Sequence, residues 1–316
     1  MTAAATRFAQ INLQNLPRPA AIDGYTFDAI LAARQQYFLG VWAAQVASNP
    51  SLPTYNVANL KSNPGFWLQS VDTYREGLVR ARVNEAVLAT SLAFAREDDL
   101  DVIAANSSTE RAPGEGDESL RARAQLAFEA LSIGGSYGGY DYMAWSAAPV
   151  DIAQAATYGH EVAGVALGEV RIVLLGTAAT GAVPPSALKA VKEAFPRNLR
   201  KTNDNINIVT ANLVDYSIDA TLLLAPGADA AAVQAAQWTQ AAAYASARRM
   251  IAAPVDFGGV MAAIGANASG LVQGVVMRQP FSGTIDLANP PAIGGGPFDA
   301  PICTSISLSY SQGAST

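Results

Sequence analysis

The strongest constraint on this chain is a helical pattern that runs from Phe66 to about Arg96 with Gly77 as its one weak point. Within it Trp67, Val71, Tyr74, Leu78, Ala81, Glu85, Leu88 and Leu92 alternate steps of four and three residues. That is a 3.5-residue repeat held over about four heptads, the seam of a helix bundle or coiled coil. A helix of this length spans about 45 Å. Arg75, Arg80, Arg82, Asn84 and Glu85 make up its polar side. Upstream, Phe27, Ile30, Leu31, Arg34, Phe38, Val41 and Trp42 form a second, shorter helix, with Thr26 placed to cap it. One short helix is too little to cover so long a seam, so the pattern predicts packing against other chains. A bundle closed inside one domain is the blander reading.

Bulk properties narrow the classes. The 316 residues suffice for two or three packed units, and with 50% hydrophobic and 15% charged residues the chain is globular. A net charge of −6, from 20 basic and 26 acidic residues, argues against a nucleic-acid binder or a polybasic membrane-surface protein. A single cysteine, Cys303, rules out an intrachain disulfide. The N-terminal residues have no signal-like apolar stretch, and no apolar run is long enough to span a bilayer. A soluble cytosolic product is the expectation.

The first 25 residues read as an extended arm. Glu97–Asp101 reads as the solvated end of the long helix, and NSSTERAPGEGDES as an exposed, mobile loop. Ser119 opens a helix with Leu120, Ala124, Ala127, Phe128 and Leu131 on one face. Beyond Trp145 the pattern becomes α/β. Strands are expected at Val150–Ala155, at Glu169–Leu175, and as a pair bent near Ala211–Leu213 whose even positions (Ile206, Ile208, Val214, Tyr216, Ile218, Leu222, Leu224) face one core. Further strands are expected at Leu271–Met277 and Ile302–Tyr310, and helices at Pro184–Phe195, Asp229–Met250 and Val255–Ile264. The Pro- and Gly-rich stretch Phe281–Pro301 reads as a long loop serving an interface.

Catalytic constellations are missing. His160 is the sole histidine, without an HExxH partner; Cys303 lacks a CxxC partner; no GxSxG elbow occurs. The glycine cluster in LSIGGSYGGYDYMAW is the best candidate for a phosphate cradle. Yet Tyr140 stands where a GxxxxGK(S/T) loop needs lysine, and the preceding element is a helix, not a strand. The alternative is a helix–turn–helix joint: Gly134 or Gly135 takes the left-handed position, Ser136 caps the next helix, and Gly138 and Gly139 admit a close neighbour. No enzyme activity, cofactor or metal site is expected. Gly134, Gly135, Ser136, Gly138 and Gly139 become a candidate hinge.

At this joint a family resemblance appears. RARAQLAFEALSIGGSYGGYDYMAWSA resembles the baseplate J-like proteins of contractile-tailed bacteriophages. YREGLVRARVNEAVLATSLAFAREDDLDVIAAN is similar to that family's long helix, and the similarity continues through GEVRIVLL and NINIVTANLVDYSIDATLLLAPG, with NLPRP matching an N-terminal segment. The resemblance covers roughly the whole chain, with departures at RNLRKTNDN and in the loop from Phe281 to Pro301. It implies a structural, non-enzymatic wedge component in the virion tail baseplate, made in the host cytoplasm. Two copies would share a helical bundle with a different wedge protein of the tail protein I type. Other domains would join wedges into a ring around the hub, beneath the sheath initiator, and relay conformational change to sheath contraction. The same role in a phage-derived injection device is an alternative; an enzyme binding a phosphorylated ligand at residues 134–139 is a distant one. No nucleic acid or membrane partner is implied.

Together these readings give an α+β chain: a long-helix arm followed by two small α/β units with mainly antiparallel sheets. The expected segments are 1–60 (arm and helix), 61–148 (long helix and helix–turn–helix), 149–212 (first α/β unit) and 213–316 (C-terminal α/β unit, oligomerisation).

Overall fold

The computed structural model describes residues 11–55, 63–131, 135–196, 204–265, 271–281 and 291–312. The chain divides into two compact units, one of residues 11–106 and one built on 107–316. The first is helical, the second mixed, and the whole is α+β.

In the first unit the arm contains a short 3-10 turn, Leu13–Asn15, and leads into α1, Phe27–Ser48. The Thr26 hydroxyl accepts the Ala29 N–H at 3.2 Å, so the expected cap is in place. The next helix, α2, is Pro64–Ala89; Asn63 caps it by accepting from the Gly65 N–H at 2.8 Å, and Pro64 occupies the first position, where no N–H is needed. At 26 residues α2 measures about 39 Å and stops short of the expected end at Arg96. Leu92 therefore lies in a turn beyond the helix. The Thr90 hydroxyl bonds back to the Val87 carbonyl at 2.9 Å, and the Ala95 N–H folds onto the Ser91 carbonyl at 2.8 Å, competing with helix continuation. The acidic run is likewise reassigned. Glu97, Asp98 and Asp99 form the first turn of a new helix, α3 (Glu97–Ala105), where carboxylates meet the positive end of the helix dipole.

The second unit begins with a loop that is far from loose. Thr109 and Glu115 are buried, and Glu115 receives both arms of Arg123, Nε–Oε1 at 2.7 Å and Nη2–Oε2 at 2.6 Å. The Ala112 N–H at 2.9 Å and the Ser119 hydroxyl at 2.8 Å complete its shell. Burial raises the pKa of Glu115, but Arg123 and these donors outweigh it and hold the carboxyl below its usual range. The residues after Ser107 are thus pinned onto α4, Asp117–Ala130, instead of moving freely.

Helix α4 forms a hairpin with α5, Tyr137–Ala147, and the hairpin packs on a three-stranded sheet of β1 (Ile152–Tyr158), β2 (Glu169–Gly176) and β3 (Asn205–Thr210). Between β2 and β3 lies α6, Pro185–Glu193, a βαβ crossover that makes β2 and β3 parallel, while β1 and β2 are antiparallel. Leu126, Tyr140, Trp145, Ile152, Ile172, Leu174, Val191 and Phe195 fill the core between hairpin, sheet and crossover.

The bend expected near Ala211 is a switch between sheets. The Ala211 N–H donates to Leu174 of the first sheet at 2.8 Å, and the Asn212 N–H to Phe298 beside the second at 2.8 Å. Strand β4, Asn212–Leu224, is the centre of that second sheet, ordered β6–β4–β8 with β6 at Val272–Gln279 and β8 at Asp299–Gln312. It is antiparallel to β6 and parallel to β8, so each three-stranded sheet is mixed. Its even residues Tyr216, Ile218, Ala220, Leu222 and Leu224 are buried, as the alternation predicts. They face a different core from Ile206 and Ile208 of β3, which pack on the hairpin side. Helix α7, Ala230–Arg248, is capped by Asp229, and α8, Phe257–Gly265, follows the short strand β5, Pro254–Asp256. The Phe281–Pro301 stretch is structured in part: β7, Ala292–Gly294, pairs antiparallel with β5, and Phe281 packs edge-on against Phe257 at 6.0 Å. Residues 282–290 lie outside the described set.

The two sheets share a third cluster, Val173, Leu175, Ala211, Ile251, Ala300 and Ile302. Around it the Ile251 N–H donates to Gln154 at 2.7 Å, and Arg171 stands over the Phe298 ring at 5.1 Å. Through this cluster the two three-stranded sheets pack against each other.

Candidate assembly interface

Where α1 and α2 meet, the contact is polar. Arg34 reaches Glu76 at 2.6 Å and Asp72 at 3.6 Å; Glu76 in turn holds Arg80 at 2.8 Å, and Arg80 pairs with Asp23 of the arm. The arm is fastened to the same face: Asn84 exchanges bonds with the Asp23 backbone at 2.9 and 3.0 Å, and the Tyr25 hydroxyl donates to the Gly77 carbonyl at 2.6 Å. Gly77, the weak point of the helical pattern, is thus where the arm crosses. Thr73 is fully buried in this contact. The guanidinium of Arg34, followed by that of Arg80, holds the Glu76 carboxyl below its usual range.

Two of the residues assigned to the polar side, Arg80 and Asn84, therefore face inward, whereas Arg82 and Glu85 pair with each other in solvent at 3.1 Å. The seam faces outward. Trp67, Val71, Tyr74 and Leu78 are all more than half exposed, Trp67 at 65%. Ala81 and Leu88 are half-buried, Glu85 is exposed, and Leu92 is off the helix. Sequence reasoning missed a second exposed row beside the seam: Leu68 at 68%, Val79 and Val83. Its signal was there, since 79 and 83 are four apart and 68 is three turns earlier on the same side. On α1, Tyr37 is 77% exposed and Val41 about half, flanked by Ala33, Gly40 and Ala44. The far end of α1 closes on itself, with Trp42 edge-on to Tyr55 at 5.0 Å and its indole N–H on the Pro53 carbonyl at 2.8 Å. An isolated soluble pair of helices buries apolar residues between them; here Ile30 is the one buried residue of α1, the ion pairs stay partly exposed, and the apolar rows of α2 face outward.

The glycine joint is a tight helix contact. Ser136 caps α5 by accepting the Gly139 N–H at 3.1 Å, and its hydroxyl donates to the Glu129 carbonyl at 2.9 Å. A Cβ on Gly139 would stand 2.8 Å from the Glu129 carbonyl oxygen, and one on Gly138 2.8 Å from the Glu129 Cγ. Gly139 therefore admits the backbone of α4, and Gly138 the Glu129 side chain. Gly135 has φ +72°, the left-handed region, directly before the cap; α4 itself has ended by Leu131. Gly134 lies outside the described residues. The joint joins two helices of the second unit, whereas the unit boundary falls at residues 106 and 107.

Other chemistry-bearing residues do not converge. His160 sits exposed in the turn after β1; its neighbour Glu161 takes the Tyr137 hydroxyl at 2.8 Å. Cys303 is a half-buried thiol on β8, which burial pushes above its usual pKa. Among the described residues no group of His, Cys, Asp and Glu could hold a metal, and no helix is long and apolar enough to cross a membrane.

With this geometry in view, comparison with known proteins is direct. The Baseplate J-like N-terminal domain matches residues 61–113, the span of α2, α3 and the loop that follows. Baseplate protein J of Escherichia phage P2 is 30% identical over 272 residues, covering 80% of this chain and 86% of that protein. The chain belongs to the baseplate J-like family.

Proposed function

We propose that this protein is a structural, non-enzymatic component of a phage tail baseplate, and that the outward face of α1 and α2 is where its partners dock. The carrying observation is the outward apolar row of α2, Trp67, Val71, Tyr74 and Leu78, on a helix pair joined through the partly exposed Arg34, Glu76 and Arg80. Burying such a row on a partner releases about 1.5–3 kcal/mol for each large side chain, before the entropy of association is met. A bundle completed by helices of a second copy and of a different wedge protein would cover it. Ring contacts around the hub, contact with the sheath initiator and a relay to sheath contraction belong to the same proposal. So does a pivot at Gly135–Gly139, where the backbone contact with Glu129 would make the α4–α5 hairpin move as one piece. The virion tail is the setting in which this reading places the chain, with synthesis in the host cytoplasm.

The experiment is a replacement of Trp67, Val71, Tyr74 and Leu78 by serine, tested by complementing a phage that lacks the protein. The variant is expected to keep its circular dichroism spectrum and to yield no baseplates by electron microscopy. Normal baseplates with this variant would sink the docking face. The geometry speaks against a phosphate cradle at the glycine joint: the Gly139 N–H is already taken by Ser136, and Glu129 presses on the turn.

A further inference from the structure

Arg75 and Arg82 stand one heptad apart on α2. With Val71 and Leu78 at position a and Tyr74 and Ala81 at d, both arginines occupy e, the position that flanks a seam and meets charges of the partner helix. Around the helix they fall between the two exposed apolar rows, Trp67, Val71 and Leu78 on one side and Leu68, Val79 and Val83 on the other. Both are in solvent. Arg75 is exposed and pairs with no carboxylate among the described residues. Arg82 is 83% exposed and meets Glu85, one turn along, at 3.1 Å. A guanidinium has five N–H groups, so this contact leaves most of its donors to water.

Arg80, on the side of α2 that faces α1, is treated differently: Glu76 holds it at 2.8 Å and Asp23 of the arm pairs with it as well. Asp72, three residues before Arg75, is turned to Arg34 at 3.6 Å. The chain thus supplies counter-charges on the inner side and leaves the outer arginines open. A second copy does not supply them either. In a parallel pair of α2 helices e faces g, and the g positions are Ser70, Gly77 and Asn84. In an antiparallel pair e faces e, which sets arginine against arginine. Helix α1 carries a single acid, Asp28, in its first turn. Helix α3 is acidic but nine residues long, with Leu100 and Ala104 already buried.

We propose that the outward face of α2 seats an acidic amphipathic helix of a different protein, with carboxylates one heptad apart on Arg75 and Arg82 and apolar side chains on the row from Trp67 to Leu78. This names the chemistry of the partner at the docking face of the proposed function and rests on that reading. From Trp67 to Arg82 the strip measures about 23 Å, so the partner helix needs at least two heptads. Apolar burial supplies the affinity, and the arginines select the partner and its register. The chain as a whole carries a net charge of −6, so an acidic helix is drawn to this strip and repelled from much of the remaining surface.

Two synthetic helices of three heptads test the pairing. Both have leucine at every a and d; one has glutamate and the other lysine at every e and g, so that each repels its own kind. Titrated with the full chain and followed by anisotropy of a dye on the peptide, the glutamate helix is expected to bind about tenfold more tightly than the lysine helix. Arg75→Glu with Arg82→Glu, both at exposed positions, is expected to keep the circular dichroism spectrum and to reverse that order. Equal affinities, a preference for the lysine helix, no binding of either, or an order indifferent to the double replacement would overturn the proposal. A dimer of the full chain in sedimentation that the double replacement dissolves would overturn it too, because the strip would then serve a second copy. The serine replacements remove the apolar row and leave both arginines, and the glutamate replacements do the reverse. Baseplates built with the glutamate variant and not with the serine variant would keep the docking face and sink the acidic partner; baseplates built with the serine variant would sink the docking face itself.

Discussion

In residues 11–106 the two long helices meet through Arg34, Asp72, Glu76 and Arg80 with Ile30 buried, and Trp67, Val71, Tyr74 and Leu78 point outward. In residues 107–316 the same residue classes are placed the other way. Leu174, Ile218, Leu222 and Phe195 are sealed inside, and the buried Glu115 and Arg123 pair with each other, with Ala112, Ser119, Ser146 and Glu110 taking the remaining bonds. The second unit has cores of its own, which is what independent stability requires. The first has an ion network and an exposed apolar face, the face on which the proposed docking would take place. Hydrophobic burial dominates folding, so the second unit holds most of the buried core, and the first is where the proposed docking would add burial.

Four measurements would break or sharpen that contrast, the largest expected effect first. Glu115→Ala removes the counter-charge of the Arg123 guanidinium, whose side chain is 4% exposed and keeps only Ser146 and the Glu110 carbonyl, and should cost about 3–5 kcal/mol in chemical denaturation. A loss under about 1 kcal/mol would mean the loop after Ser107 is not anchored there.

Asp141 comes next. It accepts the Thr157 hydroxyl at 2.6 Å, and burial pushes its pKa up to about 7 against the pull of the Thr157 donors. Its folded pKa lies above the unfolded one, so this contribution is full below pH ~4 and is lost as pH rises to about 7. Asp141→Asn should flatten stability over that window and gain roughly 2–4 kcal/mol at pH 8. An unchanged pH profile of unfolding would contradict the burial argument.

Gly139→Ala drives a methyl group into the Glu129 carbonyl, a backbone atom that cannot yield without parting α4 from α5. It should cost about 1–3 kcal/mol. The substitution separates helices and does not merely stiffen a hinge, so a contraction defect is informative only in a variant shown to be folded. The smallest effect belongs to the first unit. Val71→Ser and Leu78→Ser should each shift the melting free energy of the isolated chain by no more than about 0.5 kcal/mol, because both side chains are already more than half exposed. A core-sized loss at either would show that the helices close on themselves.

Local signals carried much of the architecture. Thr26, Asn63, Ser136 and Asp229 each cap the helix that follows them, because a short polar side chain before an apolar periodic run has one favourable use. The alternation from Tyr216 to Leu224 maps onto buried positions for an equally local reason, the two-residue period of a strand. What failed was composition used as a guide to exposure. TERAPGEG reads as a loose loop, yet Glu115 is buried by an arginine eight residues on. Arg80 and Asn84 read as a solvent face, yet they fasten a distant arm. The pattern extends α2 to Arg96 because Thr90 and Ser91 are tolerable within a helix; the helix ends at Ala89, where their own bonds turn the chain.

The sequence by itself determined most helix starts, the strand periods and the family, since each is written in residue type and spacing within a few turns of chain. Tertiary structure alone decided the rest. It placed the seam outside the α1–α2 contact, because Arg34, Asp23 and Glu76 lie far apart in sequence and their mutual attraction exists only once the helices are side by side. It also handed the chain from one sheet to the next at Ala211, where consecutive N–H groups find acceptors on two different strands' neighbours, Leu174 and Phe298. Backbone hydrogen bonds between distant segments leave no trace in local composition.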